Sequence, residues 1–321
     1  MKLCFILDPL PLIKSAKDST YAMMVEAARR GHAVEVMMQE ALMWKGGRVL
    51  GRTTPITLTG DEADWYRLDQ PRETALTGFD AVLMRKDPPF DMEYVTSTWL
   101  LERAVAEGAI VFNDPRSIRD HSEKLAVAEF PQYTVPTLVT RLATELQQFI
   151  DEQGDTVLKP LDGMGGTGVF RVTRQDMNRN AIVETLSHDG RRTVMAQRFI
   201  PEISAGDKRI LLIDGEPVPY VLARIPKPGE TRGNLAAGGT GIAQPLSDHD
   251  RAVAEAIGPT LAQRGLLLVG LDMIGDYITE INVTSPTCFR EIHDQTGFDV
   301  ARMYVDALER AIDARSRREG V

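Results

Sequence analysis

Cysteine is nearly absent from the chain: Cys4 and Cys288 are its only two, each among apolar or β-branched neighbours. So few thiols exclude a disulfide framework and a cysteine-built zinc site, and they point to a reducing compartment. Long apolar runs are missing as well. The longest comparable run, residues 266–271, ends at Asp272, far below the roughly 18 residues that a membrane span requires. The opening Lys2-Leu3-Cys4-Phe5-Ile6-Leu7 resembles the front of a signal peptide, but Asp8 and Lys14 interrupt it, so it reads as a first core strand. There is no surplus of basic charge. Lys plus Arg number 37 against 46 Asp plus Glu, a net charge of −9, which opposes long-range attraction to nucleic acid or anionic lipid. Internal repeats and low-complexity tracts are absent. The five histidines, His32, His121, His188, His249 and His293, lie apart without triad or metal spacing and read as structural or surface residues. The expectation is a cytoplasmic protein with neither nucleic-acid nor membrane partners, in which any bound phosphate is met by local cations.

What is present describes a well-folded globular chain. Apolar residues make up 43% and charged residues 26% of 321, enough for two or three domains with substantial cores. Residues 2–113 alternate strand and helix signals: strands at 3–7, 33–37, 81–84 and 109–112, helices at 21–30 and 91–107 closed by Gly31 and Gly108. This alternation argues for parallel βαβ units, an open α/β layer. From about Ser122 the pattern changes to short strands joined by Gly-rich turns, mostly antiparallel and α+β. Strands are expected at 156–159, 169–172, 194–200, 209–213, 218–224, 266–274 and 278–283, with Asp214-Gly215 as a hairpin signal. Helices are expected at 142–153, 248–263 and 300–315, the second capped by Ser247 and followed by Gly265. Residues 226–241 hold five glycines and no apolar periodicity, the composition of a lid or disordered segment.

Three groups of residues carry chemistry. The first is Asp162-Gly163-Met164-Gly165-Gly166-Thr167-Gly168, a literal G-x-G-x-x-G. A dinucleotide fingerprint needs a helix next, where Val169-Phe170-Arg171-Val172 reads as a strand, and a P-loop needs Lys where Val169 stands. The remaining readings are an ordinary flexible hairpin, or a glycine loop folded over nucleotide phosphates with Lys159 reaching them from the leading strand. The second group is Asp272, Glu280 and Asn282, oxygen donors on two adjacent predicted strands. They suit a hard cation such as Mg²⁺ bound with nucleotide, unless Asp272 merely ends a strand while the other two face solvent. The third is Arg209, Arg224 and Arg232, three guanidinium groups that together can neutralise a transferring phosphoryl group, though any one alone would pass for a surface arginine.

Strand register sharpens the second group. In a hairpin, directly opposed residues have a constant number sum and share a face, and a one-residue slip reverses every side chain. A two-residue turn at Gly275-Asp276 would set Asp272 opposite Thr279 and leave Glu280 on the other face. A three-residue loop, residues 275–277, sets Asp272 opposite Glu280 and Gly270 opposite Asn282, and turns Val269, Leu271, Met273, Thr279, Ile281 and Val283 to a dry face. The expectation is therefore an odd-length loop, with small Gly270 leaving room for the ion and phosphates.

Five segments resemble the prokaryotic glutathione synthetase branch of the ATP-grasp ligases, and the resemblance covers essentially the whole chain. They are residues 84–91 (MRKDPPFD), 158–166 (LKPLDGMGG), 215–220 (GEPVPY), 232–239 (RGNLAAGG) and 279–287 (TEINVTSPT). The resemblance implies an N-terminal Rossmann-like domain over 1–122, a central ATP-grasp lid subdomain over 123–200 and a catalytic subdomain over 201–321, with ATP between two antiparallel sheets. It implies that γ-glutamylcysteine is ligated to glycine with release of ADP and phosphate, using Mg²⁺ or Mn²⁺, in a homo-oligomer, a tetramer or a dimer. By position, Lys124, Lys159, Gly163, Gly165 and Gly166 match the phosphate side of the ATP site. Gln197, Arg198, Phe199 and Ile200 match the adenine hinge, and Asp207 a ribose contact. Asp272, Glu280 and Asn282 match the metal ligands. Arg209, Arg224 and Arg232 match the phosphate and intermediate contacts, and Lys17, Asp18, Ser19, Arg85 and Ser285 the substrate side. The implied chemistry is phosphorylation of a carboxylate followed by amine attack on the acyl phosphate, with residues 226–241 excluding water. Two other readings are an ATP-grasp ligase acting on D-alanine or a protein carboxyl terminus, which the 85–91 segment disfavours, and a nucleotide-binding regulatory module without turnover.

Overall fold

The computed structural model describes residues 1–230, 232–235 and 238–319. Thr231, Ala236 and Ala237, within the expected lid, lie outside the described residues. The amino-terminal part runs β1 (Lys2–Leu7), α1 (Ser19–Arg29), β2 (Ala33–Met38), β3 (Leu42–Lys45), β4 (Arg48–Leu58), β5 (Tyr66–Leu68), β6 (Arg72–Ala75), β7 (Ala81–Met84), α2 (Met92–Ala106), β8 (Val111–Phe112) and α3 (Pro115–Asp120). Strands β2-β1-β7-β8 pair in parallel, as the alternation predicts, and β3 to β6 extend the same sheet through antiparallel pairs. Helix α1 begins where the Asp18 carboxylate accepts the Tyr21 N–H at 2.7 Å and buries Tyr21, Met23, Met24 and Ala27.

Two antiparallel sheets follow. The first comes from β9 (Thr137–Thr140), α4 (Ala143–Gln153), β10 (Asp155–Pro160), β11 (Phe170–Thr173), α5 (Arg179–Ser187) and β12 (Val194–Arg198), in the order β11-β10-β12-β9 with α4 and α5 packed on its core. The second contains β13 (Asp207–Ile213), β14 (Glu216–Ile225), β15 (Thr240–Pro245), α6 (Asp248–Gln263), β16 (Leu268–Ile274) and β17 (Tyr277–Asn282), in the order β15-β14-β13-β16-β17. Helices α7 (Phe289–Thr296) and α8 (Val300–Glu319) complete the described chain. Asp214 and Gly215 both have positive φ, at 52° and 82°, and join β13 to β14 in the expected two-residue turn. Residues 240 and 241, expected within the Gly-rich loop, belong instead to β15, which pairs with β14 from Ile225↔Thr240 onward.

The five-stranded sheet is dry on one face and divided on the other. Ile210, Leu212, Val221, Val269, Leu271 and Met273 pack against α6 through Val253, Ile257 and Leu261. On the opposite face Leu211, Ile213, Leu222 and Leu268 join one core with β1, α1, α7 and α8. Alternation along β13 carries that second face past Leu211 to Arg209 and Asp207, the latter lining the cleft between the two sheets.

Candidate active site

A cleft lies between the two antiparallel sheets. Its floor is the uncovered end of the five-stranded sheet and its roof the glycine loop between β10 and β11. Lys159, at the end of β10, and Lys124, in the segment after α3, are both buried, and each approaches Glu280 to 3.6 Å. Lys124 also donates to the Gly163 carbonyl at 2.5 Å, and Lys159 to that of Thr279 at 3.2 Å. Burial pushes the Lys159 ammonium below its ordinary value, with Glu280 opposing the shift. Two cations with one shared carboxylate form a site for anionic oxygen.

Behind them lies a buried ion network. Asp272 accepts from Arg209 through both carboxylate oxygens, at 3.0 Å for the Nη2 contact, and pairs with Arg224 at 2.9 Å. Arg224 also donates to Asp207. Burial opposes ionisation of Asp272, but Arg209 and Arg224 outweigh it and hold its carboxyl well below the usual range. Burial pushes the Asp207 carboxyl up to about 6, against Arg224 and with Asp272 adding to the rise. Asp207 Oδ1 is buried without a hydrogen-bond partner and Asp207 lines the cleft, so it awaits a donor.

The register at this site follows from a bulge. Asp272 opposes Glu280 and Gly270 opposes Asn282, yet Met273 opposes Ile278 and Ile274 opposes Tyr277. The turn is thus the two-residue Gly275-Asp276, not the expected three-residue loop, and one extra residue, Thr279, is absorbed between the two registers. Ile278 replaces Thr279 on the dry face, while Thr279 lines the cleft and donates its hydroxyl to the Asp272 carbonyl at 3.2 Å. Gly270 does make room, but for protein: a Cβ there would meet Arg209 Cδ at 3.0 Å and Pro286 Cβ at 3.1 Å.

At the other end of the cleft Gln197 donates to Thr137 Oγ1 at 3.1 Å, and Phe199 donates its N–H to the Asp155 carbonyl at 2.9 Å. The Phe199 ring lies 3.8 Å beneath the Arg171 guanidinium, and Arg198 stands 5.6 Å from the Tyr277 ring. A second cavity opens beyond Met164, which lines both. It is bounded by the carboxyl ends of β1 and β7, the start of α1, and Thr287.

Residues 1–119 match the family described as prokaryotic glutathione synthetase, N-terminal domain, and residues 123–297 its ATP-grasp domain. The chain is 64% identical to the glutathione synthetase of Ralstonia nicotianae over 311 residues, 97% of this chain and 96% of that one. It is 59% identical to that of Nitrosomonas europaea over 321 residues, 99% and 100% of the two. The chain belongs to the prokaryotic glutathione synthetase family. Solved structures similar to it include a D-cycloserine synthetase, TM-score 0.66 at 18% identity, covering 97% of this chain and 100% of that one, and an ATP-grasp ligase complexed with a precursor variant, Mg and ADP, TM-score 0.59 at 18% identity, covering 98% of each. These likenesses concern the fold.

Within this glutathione synthetase frame the positions expected from sequence divide into three sets. Lys124, Lys159, Gly163, Gly165, Gly166, Gln197, Arg198, Phe199, Ile200, Asp207, Arg232, Asp272 and Glu280 all line the first cleft. Arg209 and Arg224 lie under its floor in the ion network, and Arg232 reaches it from the Gly-rich loop while paired with Glu230 at 2.6 Å. Asp18, Ser19 and Arg85 line the second cavity. Ser285 donates to Asp87 on its rim, whereas Lys17 is exposed in the turn before α1 and lines neither cavity. Asn282 donates to the Gly270 carbonyl at 3.3 Å, which leaves its amide oxygen on the face of Glu280. Sequence reasoning passed over Thr279, hidden by the bulge, and Glu123. The Glu123 carboxylate accepts from the N–H groups of Val283 and Thr284 at 3.3 Å each and from the Thr284 hydroxyl at 2.7 Å. Its one signal was adjacency to Lys124.

Among the described residues no three His, Cys, Asp or Glu side chains stand close enough to cage a metal. The donor set on β16 and β17, two carboxylates and one amide, still fits a hard divalent cation that completes its shell with phosphate oxygens.

Proposed function

We propose that the chain joins the cysteinyl carboxylate of γ-glutamylcysteine to the amine of glycine, producing glutathione, ADP and phosphate through an acyl phosphate. The observation that carries this reading is the convergence of Lys124, Lys159, Glu280 and the Asp272–Arg209–Arg224 network at the base of one cleft, with a second polar cavity adjoining it. In this reading Gln197 to Ile200 hold the adenine, Asp207 accepts from the ribose, and the N–H groups around Gly163, Gly165 and Gly166 cover the phosphates with Lys124 and Lys159. Asp272, Glu280 and Asn282 would hold Mg²⁺, or Mn²⁺ in its place, which would neutralise phosphoryl charge. Arg209 and Arg224 keep Asp272 ionised and supply positive field at the phosphoryl group, and Arg232 closes over it. Residues 1–122, 123–200 and 201–321 act as substrate, lid and catalytic units of a cytoplasmic homo-oligomer. No helix of the described residues is long and apolar enough to cross a membrane.

The test is a product assay with ATP, Mg²⁺, γ-glutamylcysteine and glycine. Glutathione should form with one phosphate released per peptide. Phosphate release that is indifferent to the dipeptide and glycine would reject the reading.

A further inference from the structure

Strand β17 is the last of its sheet, so every second residue turns its N–H and C=O outward, with no strand among the described residues to meet them. Those groups are nevertheless used. The Thr279 carbonyl accepts from Lys159 at 3.2 Å, and the Ile281 N–H donates to the Glu123 carbonyl at 2.8 Å. Just past the end of the strand, the Val283 N–H donates to the Glu123 carboxylate at 3.3 Å. Residues 279, 281 and 283 keep the period of two. The free edge thus mounts both lysines of the cleft, Lys159 through its own ammonium and Lys124 through the residue before it. Lys124 reaches Glu280 from a backbone anchored between the two outer metal donors.

Glu123 carries a second load. Its Oε1 takes three donors, the N–H groups of Val283 and Thr284 and the Thr284 hydroxyl, the last at 2.7 Å. A chain that leaves a sheet must place its N–H groups elsewhere, and here an ionised acceptor takes two in succession. Asn113 holds the other side of Val283, donating its amide to that carbonyl at 2.8 Å. The residues so held follow directly on Asn282. They precede Ser285 and Pro286, which bond Asp87 and Arg85 beside the second cavity. A shift of the Glu123 carboxylate would therefore move Asn282 against Glu280 on one side and the wall of the second cavity on the other.

We infer that Glu123 is a positioning residue for the metal donors: its carboxylate fixes the chain leaving β17, so that the Asn282 amide oxygen stays aligned with Glu280, while its backbone stations Lys124 against the same strand. This deepens the reading under Proposed function and rests on its metal site. Glu123 lines neither cavity and touches no reacting atom. It acts through Asn282 and Lys124, which do the binding. A residue that merely closed a strand end would need an acceptor there and no tie to the metal, and this difference decides the experiment.

The full chain is titrated with Mn²⁺ in the presence of a non-hydrolysable ATP analogue, free Mn²⁺ being read from its paramagnetic signal. Glutathione formation is measured separately. Glu123→Ala should weaken Mn²⁺ binding by about 10- to 100-fold, the usual effect of removing a group that orients a metal ligand. Glu123→Gln keeps the shape and one acceptor oxygen and should recover part of the loss. Thr284→Val removes one donor to the same oxygen and should weaken Mn²⁺ in the same direction, and the double variant should bind no more weakly than Glu123→Ala alone. If Glu123→Ala does not fold, the Gln and Val variants carry the comparison. Wild-type Mn²⁺ affinity in the variants that fold overturns the assignment, even where their thermal stability falls. Losses that simply add in the double variant overturn it too, as does a wild type that binds no Mn²⁺ with the analogue. Mn²⁺ affinities that shift as expected in a chain that makes no glutathione would instead uphold the positioning role and reject the proposed reaction.

Discussion

Glu280 faces two ammonium groups at 3.6 Å and opens toward the cleft, whereas Asp272 is already occupied by two guanidinium groups. Its charge both balances the lysines and remains available to a cation. Replacing Glu280 with Gln keeps the shape and removes the charge, so kcat should fall by several kcal/mol of transition-state stabilisation, where about 1.4 kcal/mol is tenfold. Circular dichroism and thermal unfolding should stay close to wild type. A Glu280→Gln enzyme with near-normal turnover would remove this residue from the metal site. Asp207 offers a pH test of the same network. Its folded pKa, about 6, lies above its ordinary 3.8, so the native state takes up this proton more readily than the unfolded chain. The stabilisation is complete below the unfolded value and is lost as pH rises through the folded one. Wild type should therefore lose stability relative to Asp207→Asn between about pH 4 and 7, measured by denaturant unfolding at each pH. A constant difference across that range would show that Asp207 ionises normally.

At the scale of elements, the bulge in β17 decides what the hairpin can hold. A two-residue turn alone would have put Asp272 and Glu280 on opposite faces; Thr279, as the additional residue, restores the face and turns its carbonyl to Lys159. Deleting Thr279 leaves Glu280 opposite Asp272 in an unbulged hairpin but removes that acceptor. The deletion should fold, with ATP affinity lowered by about tenfold, the worth of one charge-assisted hydrogen bond. Unchanged nucleotide affinity by titration calorimetry would mean that the bulge serves register only. Parity of loop length foresaw the pairing of the carboxylates and failed on the turn, because a bulge leaves no mark in a two-residue turn sequence. Helix α1 was legible through the closing Gly31, and α6 through its Ser247 cap and the following Gly265. Helix α7 was not: it starts at Cys288, in a left-handed conformation with no side-chain cap, and most of its residues are polar. Strands β5 and β6 are short and largely exposed, so no alternation of buried and exposed residues marked them. The cleft was legible because its glycines, lysines and carboxylates are costly to place elsewhere. The commitment of Arg209 and Arg224 to Asp272 was not, since partners on separate strands have no spacing to read.

Across the whole molecule the two antiparallel sheets meet at the mouth of the cleft. A Cβ on Gly166, in the glycine loop of the first sheet, would come within 2.9 Å of Arg232 Cδ and of Asn234 Oδ1, in the long loop of the second. A Cβ on Gly233 would clash with the Arg224 carbonyl oxygen, leaving no space for a side chain. The long loop thus joins the roof of the cleft to the arginine that holds Asp272. ATP with γ-glutamylcysteine should hold this loop shut, so cleavage by trypsin after Arg232 should slow when both are present. Equal cleavage with and without them would reject the lid. An acyl phosphate hydrolyses readily, and a closed lid would place a barrier between it and bulk water. Deleting residues 233–239 should therefore raise the phosphate released per glutathione formed well above one, as water competes with glycine. Phosphate and glutathione are measured in the same reaction, on protein whose thermal unfolding shows that the sheets remain folded. If the deleted enzyme keeps the two products equal, water is excluded by the cleft walls and the loop serves only to carry Arg232.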